Sequence, residues 1–414
     1  MQNDNYFVQT KIAVIGGGPA GMMAAGTAVS LGAEVTIFES TDRLGKKLAI
    51  TGKGRCNVTN DCTREEFLEN VTKNPRFLYA PLNAFSTEDA ISFFESLGVP
   101  LKTERGRRVF PVSEKAKDIV DALRSYSSGA KVIYQKVTGI KKIDNQFSVA
   151  TKSGEYLYDK VIIATGGKSY PLTGSDGSGY KLSMKLGHSV TQLIPSLIPI
   201  TSDDYICQEL QGLSLRNVKI SIKDEAERVL YSDFGEMMFA HFGVTGPVIL
   251  SASAHLRDHD ITKLRLSIDL KPALDDKTLD SRILSDFSKK YNKDLINALD
   301  DLLPSKMIEP FIFKSGIDGR KKVNSITKEE RKKLLATFKS FDISLSGYRP
   351  IEEAIITSGG IDVKEISPKT MESKLVEGLY FAGEVIDVDA YTGGYNLQIA
   401  YSTGYLAGKS AAES

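Results

Sequence analysis

A short apolar run that passes straight into a glycine cluster limits what this chain can fold into more than any other stretch. Lys11-Ile-Ala-Val-Ile15 is β-branched and apolar, the pattern of a parallel strand buried on both faces. It leads directly into Gly16-Gly17-Gly18-Pro19-Ala20-Gly21, in which Gly16, Gly18 and Gly21 meet the spacing G-x-G-x-x-G. Small and apolar residues over 22–31 predict a helix stopped by Gly32. Glu34-Val-Thr-Ile-Phe38 then predicts a second strand, ending on Glu39. Each part has a physical task. Gly16 allows a tight turn, Gly18 lets a pyrophosphate approach the backbone, and Gly21 lets the helix pack closely on the strand. The helix start offers unpaired N–H groups and partial positive charge to phosphates. Glu39 falls where a carboxylate accepts hydrogen bonds from an adenosine ribose, and it would repel a 2′-phosphate. A lone glycine motif is also met by ordinary turns. Strand, helix, second strand and terminal acid in register point to dinucleotide binding.

At 414 residues the chain has room for two or three domains. Its net charge of +1 provides no overall attraction to nucleic acid or to a membrane surface. The first ten residues lack the charged-then-apolar order of a signal peptide, and no apolar stretch is long enough to span a bilayer. Cys56, Cys62 and Cys207 form no C-x-x-C pair and no metal spacing, which suits a reducing cytoplasm and argues against disulfide exchange. No metal site is expected. His188, His241, His255 and His259 are scattered, and the helical spacing of His255 and His259 reads as a surface pair.

Residues 40–60 are polar and glycine-punctuated, with Lys46, Lys47, Lys53 and Arg55 close in sequence to the phosphate site. This is either a solvated loop or one folded over the dinucleotide, and its length favours the second. Residues 63–127 predict helices with a hairpin over 101–110, then a helix over 113–127 capped by Ser113. A strand over 131–137 and an alternating pair over 139–151 and 154–158 follow. The buried strand Lys160-Val-Ile-Ile-Ala164 ends in Thr165-Gly166-Gly167, where the chain meets the dinucleotide again, and a helix ends near Gly187. Residues 190–270 alternate in short runs that predict antiparallel β-structure. Residues 275–340 are lysine-rich and helical, with breaks at Pro304, Pro310 and Gly319. Seven cations against two acids over 320–333 read as a solvated helical face rather than a basic partner surface. The C-terminal part returns to strand and glycine turn. Gly378-Leu-Tyr-Phe-Ala-Gly-Glu384 is a strand ending on an acid, and Gly393-Gly-Tyr-Asn-Leu-Gln398 opens a helix of small residues. There Glu384 suits the hydroxyls of a ribityl chain. The helix start would stabilise negative charge on a reduced flavin above it, and a plain strand-turn-helix unit fits the same pattern.

The GGGPAG turn with Glu39, the ATGG turn and the GLYFAGE strand before a GGYNLQ helix resemble the two-dinucleotide-fold flavoproteins. Thr51-Gly-Lys-Gly-Arg-Cys-Asn-Val-Thr-Asn60, His241-Phe-Gly-Val-Thr-Gly-Pro247, Thr370-Met-Glu-Ser-Lys374 and Gly383-Glu-Val-Ile-Asp-Val-Asp389 narrow this to the BaiN/YhiN-like family of bacterial FAD-dependent oxidoreductases, which the chain resembles over nearly its whole length. The resemblance implies an α/β fold with a Rossmann-like FAD-binding domain, an inserted β-rich domain and a small helical domain. The boundaries expected are 1–190 with 345–414, 191–272 with 322–344, and 273–321. FAD contacts are expected at Gly16, Gly18, Pro19, Ala20, Gly21, Glu39, Ser40, Lys47, Arg55, Cys56, Asn57, Val137, Ala164, Thr165, Gly166, Gly383, Glu384, Gly394, Asn396, Leu397 and Gln398. Where the family's loop often reads G-G-G-R-C-N, Lys53 adds a cation beside the flavin.

Two activities are attributed to such proteins: oxidation of small amines or aminoketones such as aminoacetone, with oxygen giving hydrogen peroxide, and reduction of activated C=C bonds. Only one dinucleotide motif is present, so NAD(P)H is expected at most as a transient visitor, and the balance leans to the oxidase. The candidate catalytic residues are His241, Thr245 and Lys53. His241 is either a base for a substrate amine or a hydrogen-bonded structural histidine. Arg55 and Lys53 either stabilise negative charge on the flavin or contact phosphate or solvent. Cys56 is either a thiol with its pKa lowered by Arg55 or a buried structural one. An RNA-modifying role would rest on residues 320–333, but near-zero net charge and the lack of interleaved aromatics weigh against nucleic acid.

Overall fold

The computed structural model describes residues 9–414. They form two compact units, one running to Ser196 and resuming at Ile351–Ser414, the other Leu197–Pro350.

The first unit is built on a five-stranded parallel sheet in the order Leu379–Phe381, Lys160–Ile163, Lys11–Ile15, Glu34–Phe38, Lys131–Ile133. Its strands are apolar and, apart from their first residues, mostly buried, as a sheet covered on both faces requires. The register aligns their ends. Phe381, Ile163, Ile15, Phe38 and Ile133 lie in one row across the sheet. Gly16, Glu39, Ala164 and Ala382 therefore emerge together at the carboxyl edge, where ligands bind in open α/β sheets.

The helix after the first strand begins earlier than the small-residue run suggests, at Pro19, and spans Pro19–Ser30. Proline fits a first helical turn, where its missing N–H costs nothing. The C-terminal helix Tyr395–Glu413 packs on it. The helix expected over 113–127 is Ala116–Tyr126, and Ser113 is not its cap. Its oxygen accepts from the Lys115 N–H at 3.3 Å in the preceding turn, and Lys115 is the uncapped boundary residue. The strand expected over 131–137 stops at Ile133, whose carbonyl turns to the N–H groups of Glu39 and Gln135. Residues 139–158 make three antiparallel strands rather than two, because a turn at Asp144 (φ 48°) divides the first run.

In the second unit a seven-stranded antiparallel sheet runs in the order Phe341–Ser344, Arg265–Asp269, Ser214–Lys223, Val229–Ala240, Gly243–Thr245, Ile200–Thr201, Gly347–Tyr348. Helices Asp276–Lys289, Ser305–Ser315 and Lys328–Lys339 share one apolar core with this sheet, in which Ile220, Phe311, Phe338 and Phe341 are fully buried. Pro310 does not break its helix as expected. The helix carries through it because Met307, Phe311 and Ile312 around it are anchored in the core, which offsets one lost backbone hydrogen bond. His255 ends its helix, Pro247–His255, so it shares no helical face with His259. Among the cations of 320–333, Lys321 pairs with Glu330, Lys322 with Asp294 and Arg331 with Asp280. Among the described residues no helix is long and apolar enough to cross a membrane.

Candidate functional site

The turn after the first strand is shaped by what its glycines exclude. At Gly16 (φ 108°) a Cβ would lie 2.5 Å from the Ala164 carbonyl oxygen, so the two strand ends approach too closely for any side chain. At Gly21 a Cβ would lie 1.9 Å from the Gly16 carbonyl oxygen, which fixes how the helix seats on the turn. Gly18 differs. It has ordinary extended backbone (φ −77°, ψ −175°), and a Cβ there would meet nothing within 4 Å. The helix that starts after it has no side-chain cap and no acid in its first turn. Its N-terminal N–H groups and positive dipole end therefore stand uncompensated beside open space, a seat for an anion. Glu39 is 7% exposed. One of its oxygens accepts from the Gly17 N–H at 2.8 Å and the other from the Thr41 N–H at 2.7 Å. The oxygen bonded to Thr41 also accepts from the Ser40 hydroxyl at 3.5 Å, and the oxygen bonded to Gly17 retains a second lone pair for a ribose hydroxyl. Ser40 is exposed beside it.

Ala164 and Thr165 complete this edge. The Thr165 hydroxyl is buried with no hydrogen-bond partner, which marks a polar atom awaiting a ligand or water. Gly166 (φ 71°) allows the Ser175 side chain to close on the turn. Val137 is buried and lines a surface depression together with Lys136, Thr138, Asp176 and Lys181.

The C-terminal elements reach the same region. At Gly383 (φ 76°) a Cβ would lie 2.8 Å from the Ala20 Cβ, and its N–H donates to Thr403 Oγ1 at 2.9 Å. The Glu384 carboxylate receives Lys47 Nζ at 2.8 Å, the Thr357 N–H at 2.9 Å and the Ser169 hydroxyl at 3.2 Å. Lys47 also donates to Ser169 at 2.7 Å. Glu384 is thus part of a fixed polar hub, with about a fifth of its side chain exposed. At Gly394 (φ 97°) a Cβ would lie 2.3 Å from the Thr59 backbone, so the 51–60 loop lies directly on the helix start. The Asn57 amide oxygen faces the Gly394 N–H at 3.0 Å, and its nitrogen faces the Thr59 and Val109 carbonyls. Asn396 bonds back to Ala390 and Tyr391, and Gln398 is fully buried on Thr59, Phe85, Ser86 and Ser402. These three amides are engaged within the protein, and Leu397 is half-buried between them. What this uncapped helix offers a ligand is backbone N–H and dipole.

Arg55 is not a spare charge. It pairs with Glu104 at 2.6 Å and with Glu114, and its guanidinium lies 4.1 Å from the Phe110 ring centre. Lys53 remains exposed on a left-handed residue (φ 58°). Of the two readings of Cys56, the structure supports the buried structural thiol and not one activated by Arg55. The thiol is fully buried, and desolvation pushes it up to about 12, outweighing the Thr51 hydrogen bond. At about pH 8 a maleimide should therefore label only half-exposed Cys62, and slowly because burial raises it too, to about 11. Cys56 and Cys207, both buried, should react only on unfolding, which mass spectrometry reads directly.

In the second unit His241 is exposed in the turn between the Val229–Ala240 and Gly243–Thr245 strands, its ring 5.1 Å from that of Phe242. Arg349 covers Phe242 at 4.8 Å. Thr245 is half-buried before Gly246 (φ 103°). Sequence reasoning missed Ser169, Thr357 and Thr403. Ser169 follows the Thr165-Gly166-Gly167 turn closely enough to have been found, whereas Thr357 and Thr403 carry no local signal.

Comparison with known proteins agrees with this geometry. The family model described as HI0933-like protein Rossmann domain matches residues 10–410. A 3-dehydro-bile acid delta(4,6)-reductase of Clostridium scindens is 30% identical over 413 residues, 97% of this chain and 99% of the relative. A ribosomal RNA dihydrouridine synthase of Haemophilus influenzae is 31% identical over 402 residues, 95% of this chain and 96% of the relative. Among solved structures, a 3-ketosteroid-delta4-(5alpha)-dehydrogenase of Rhodococcus jostii superposes with a TM-score of 0.52 at 15% identity, covering 98% and 97% of the two chains, a likeness of fold. The residues fit FAD: an uncapped helix start facing open space, a buried acid with a free lone pair, and an orphaned threonine hydroxyl. The chain belongs to the HI0933-like Rossmann family, and it is an FAD-dependent oxidoreductase.

Proposed function

We propose that this enzyme reduces a carbon–carbon double bond conjugated to a carbonyl. The observation that carries this reading is what the two relatives' names share. A 3-dehydro-bile acid delta(4,6)-reductase and a ribosomal RNA dihydrouridine synthase both add two hydrogens across a C=C bond polarised by a carbonyl. Such a bond accepts hydride at the β-carbon, and the α-carbon then takes a proton. FAD, once bound and reduced by NADPH or NADH, would supply the hydride. The chain's own residues do the rest. The Pro19–Ser30 helix start would hold the pyrophosphate, Glu39 the ribose, and the hub of Lys47, Ser169 and Glu384 the hydroxylated chain, while the Tyr395–Glu413 helix start favours negative charge above it. His241, Thr245 and Lys53 stand as the candidates for the proton carrier and the polar contacts that the reaction needs. A small enone is favoured over a nucleic acid, because Lys321, Lys322 and Arg331 already face carboxylates and the field for phosphates is weakened.

The test is an anaerobic one on the FAD-loaded enzyme. NADPH or NADH should bleach the flavin, and a conjugated steroid enone should restore its colour faster than air does. A uridine-rich RNA restoring colour in place of the enone would move the substrate to nucleic acid. Bleaching by aminoacetone, followed by peroxide on aeration, would replace the reductase reading with the oxidase.

A further inference from the structure

His188 is buried, with its side chain fully out of solvent, and lies between two polar partners. Its Nδ1 is 3.1 Å from Glu365 Oε2, and its Nε2 is 2.9 Å from Ser373 Oγ. The proton positions follow from counting lone pairs. Ser373 Oγ already accepts from the Leu375 N–H at 3.0 Å and the Val376 N–H at 2.8 Å, which fills both of its lone pairs. Its one O–H must therefore be donated to His188 Nε2, so that nitrogen is bare and Nδ1 carries the hydrogen towards Glu365. A second ring proton would place Nε2–H against an oxygen with nothing left to accept it, in a site that water does not reach.

The network has a structural task. Leu379–Phe381 is the edge strand of the parallel sheet, and it leads into Gly383 and Glu384. Residues 363–376 cover that edge. The Ser373 N–H donates to the Leu379 carbonyl at 2.7 Å, and the Phe381 N–H donates to the Met371 carbonyl at 3.0 Å. The His188 ring meets Phe381 edge-on at 4.8 Å. Glu365 is the one charged group acting on the ring among the described residues, and it also accepts from the Ser189 N–H at 2.9 Å. Burial pushes the Glu365 carboxyl up, but the Ser189 contacts and His188 outweigh it and leave it below its ordinary value, so it stays anionic. Burial holds His188 below the ordinary histidine value in spite of Glu365.

We propose that Ser373, His188 and Glu365 form a proton-sensitive latch that holds residues 363–376 on the Leu379–Phe381 strand while His188 is neutral and releases them when it is protonated. The sign follows from linkage. The folded protein binds this proton less readily than the unfolded chain. The latch therefore contributes fully above the ordinary histidine value, and its contribution is lost as the pH falls from there through the lower value of the buried ring.

The experiment is hydrogen–deuterium exchange on the FAD-loaded enzyme at about pH 7.5 and about pH 5.5, normalised for intrinsic exchange. Residues 363–381 should lose protection at the lower pH in the wild type, and His188→Gln, which keeps a donor and an acceptor but cannot titrate, should remove that pH dependence. Equal loss in both proteins would overturn the proposal. If His188→Gln does not fold, nitrogen-15 NMR of the wild type decides alone. A bare Nε2 at neutral pH supports the latch, and a protonated Nε2 there overturns it.

Discussion

Gly18→Val should leave the apoprotein folded and weaken FAD binding at least about a hundredfold. The backbone at Gly18 is extended and open to any residue, and a side chain there enters space that no protein atom occupies within 4 Å. The helix start has no side-chain cap to lose, so the cost to folding should stay within about 1 kcal/mol. The same side chain would fill the approach to the helix N–H groups, and FAD affinity should fall by at least about a hundredfold, roughly 3 kcal/mol. Gly16→Val should behave differently, because its Cβ would strike the Ala164 carbonyl at 2.5 Å on a residue already at φ 108°, and the apoprotein itself should unfold more easily. Calorimetry of the two apoproteins and titration with FAD separate the cases. Near-normal FAD affinity in Gly18→Val would mean that the pyrophosphate does not lie at this helix start.

The contrast between these glycines also marks how far the sequence reaches. The first strand, turn, helix and second strand were legible because pattern, turn chemistry and terminal acid agree within thirty residues. The alternation over 190–270 revealed antiparallel strands for the same local reason. What lay beyond reach depends on partners distant in the chain. Lys47 reads as a loop cation, and nothing near it announces Glu384, 337 positions away. Arg55 looks available for a cofactor until the hairpin brings Glu104 and Glu114 to it. Asn396 and Gln398 stand in the right motif, yet their amides turn inward to backbone groups that only the folded chain supplies. Pro310 reads as a break because local propensity is visible in the sequence and the anchoring core around it is not.

Gly404→Ala and Gly408→Ala should each destabilise the protein, although alanine is the better helix former. In an exposed helix the exchange would gain about 1 kcal/mol. Here a Cβ at Gly404 would lie 2.4 Å from the Ala20 carbonyl oxygen, and one at Gly408 would lie 2.2 Å from that of Ala24. Both obstacles are backbone of the Pro19–Ser30 helix, so neither can rotate away, and the two helices must separate. Overpacking of this kind costs about 1–3 kcal/mol, which outweighs the propensity gain. Gly26 provides the control. Its Cβ would meet the Tyr126 ring at 2.2 Å, a side chain that can move, so Gly26→Ala should cost less. The double variant at 404 and 408 should cost less than the sum of the two, because the first methyl group already opens the gap that the second needs. Urea unfolding of the wild type and the four variants gives the comparison. Wild-type stability in both single variants would mean that the close approach of these helices does not hold the unit together. If the losses appear, FAD affinity should fall with them, since the Pro19–Ser30 and Tyr395–Glu413 helices present their N-termini in this relation only while packed at this spacing.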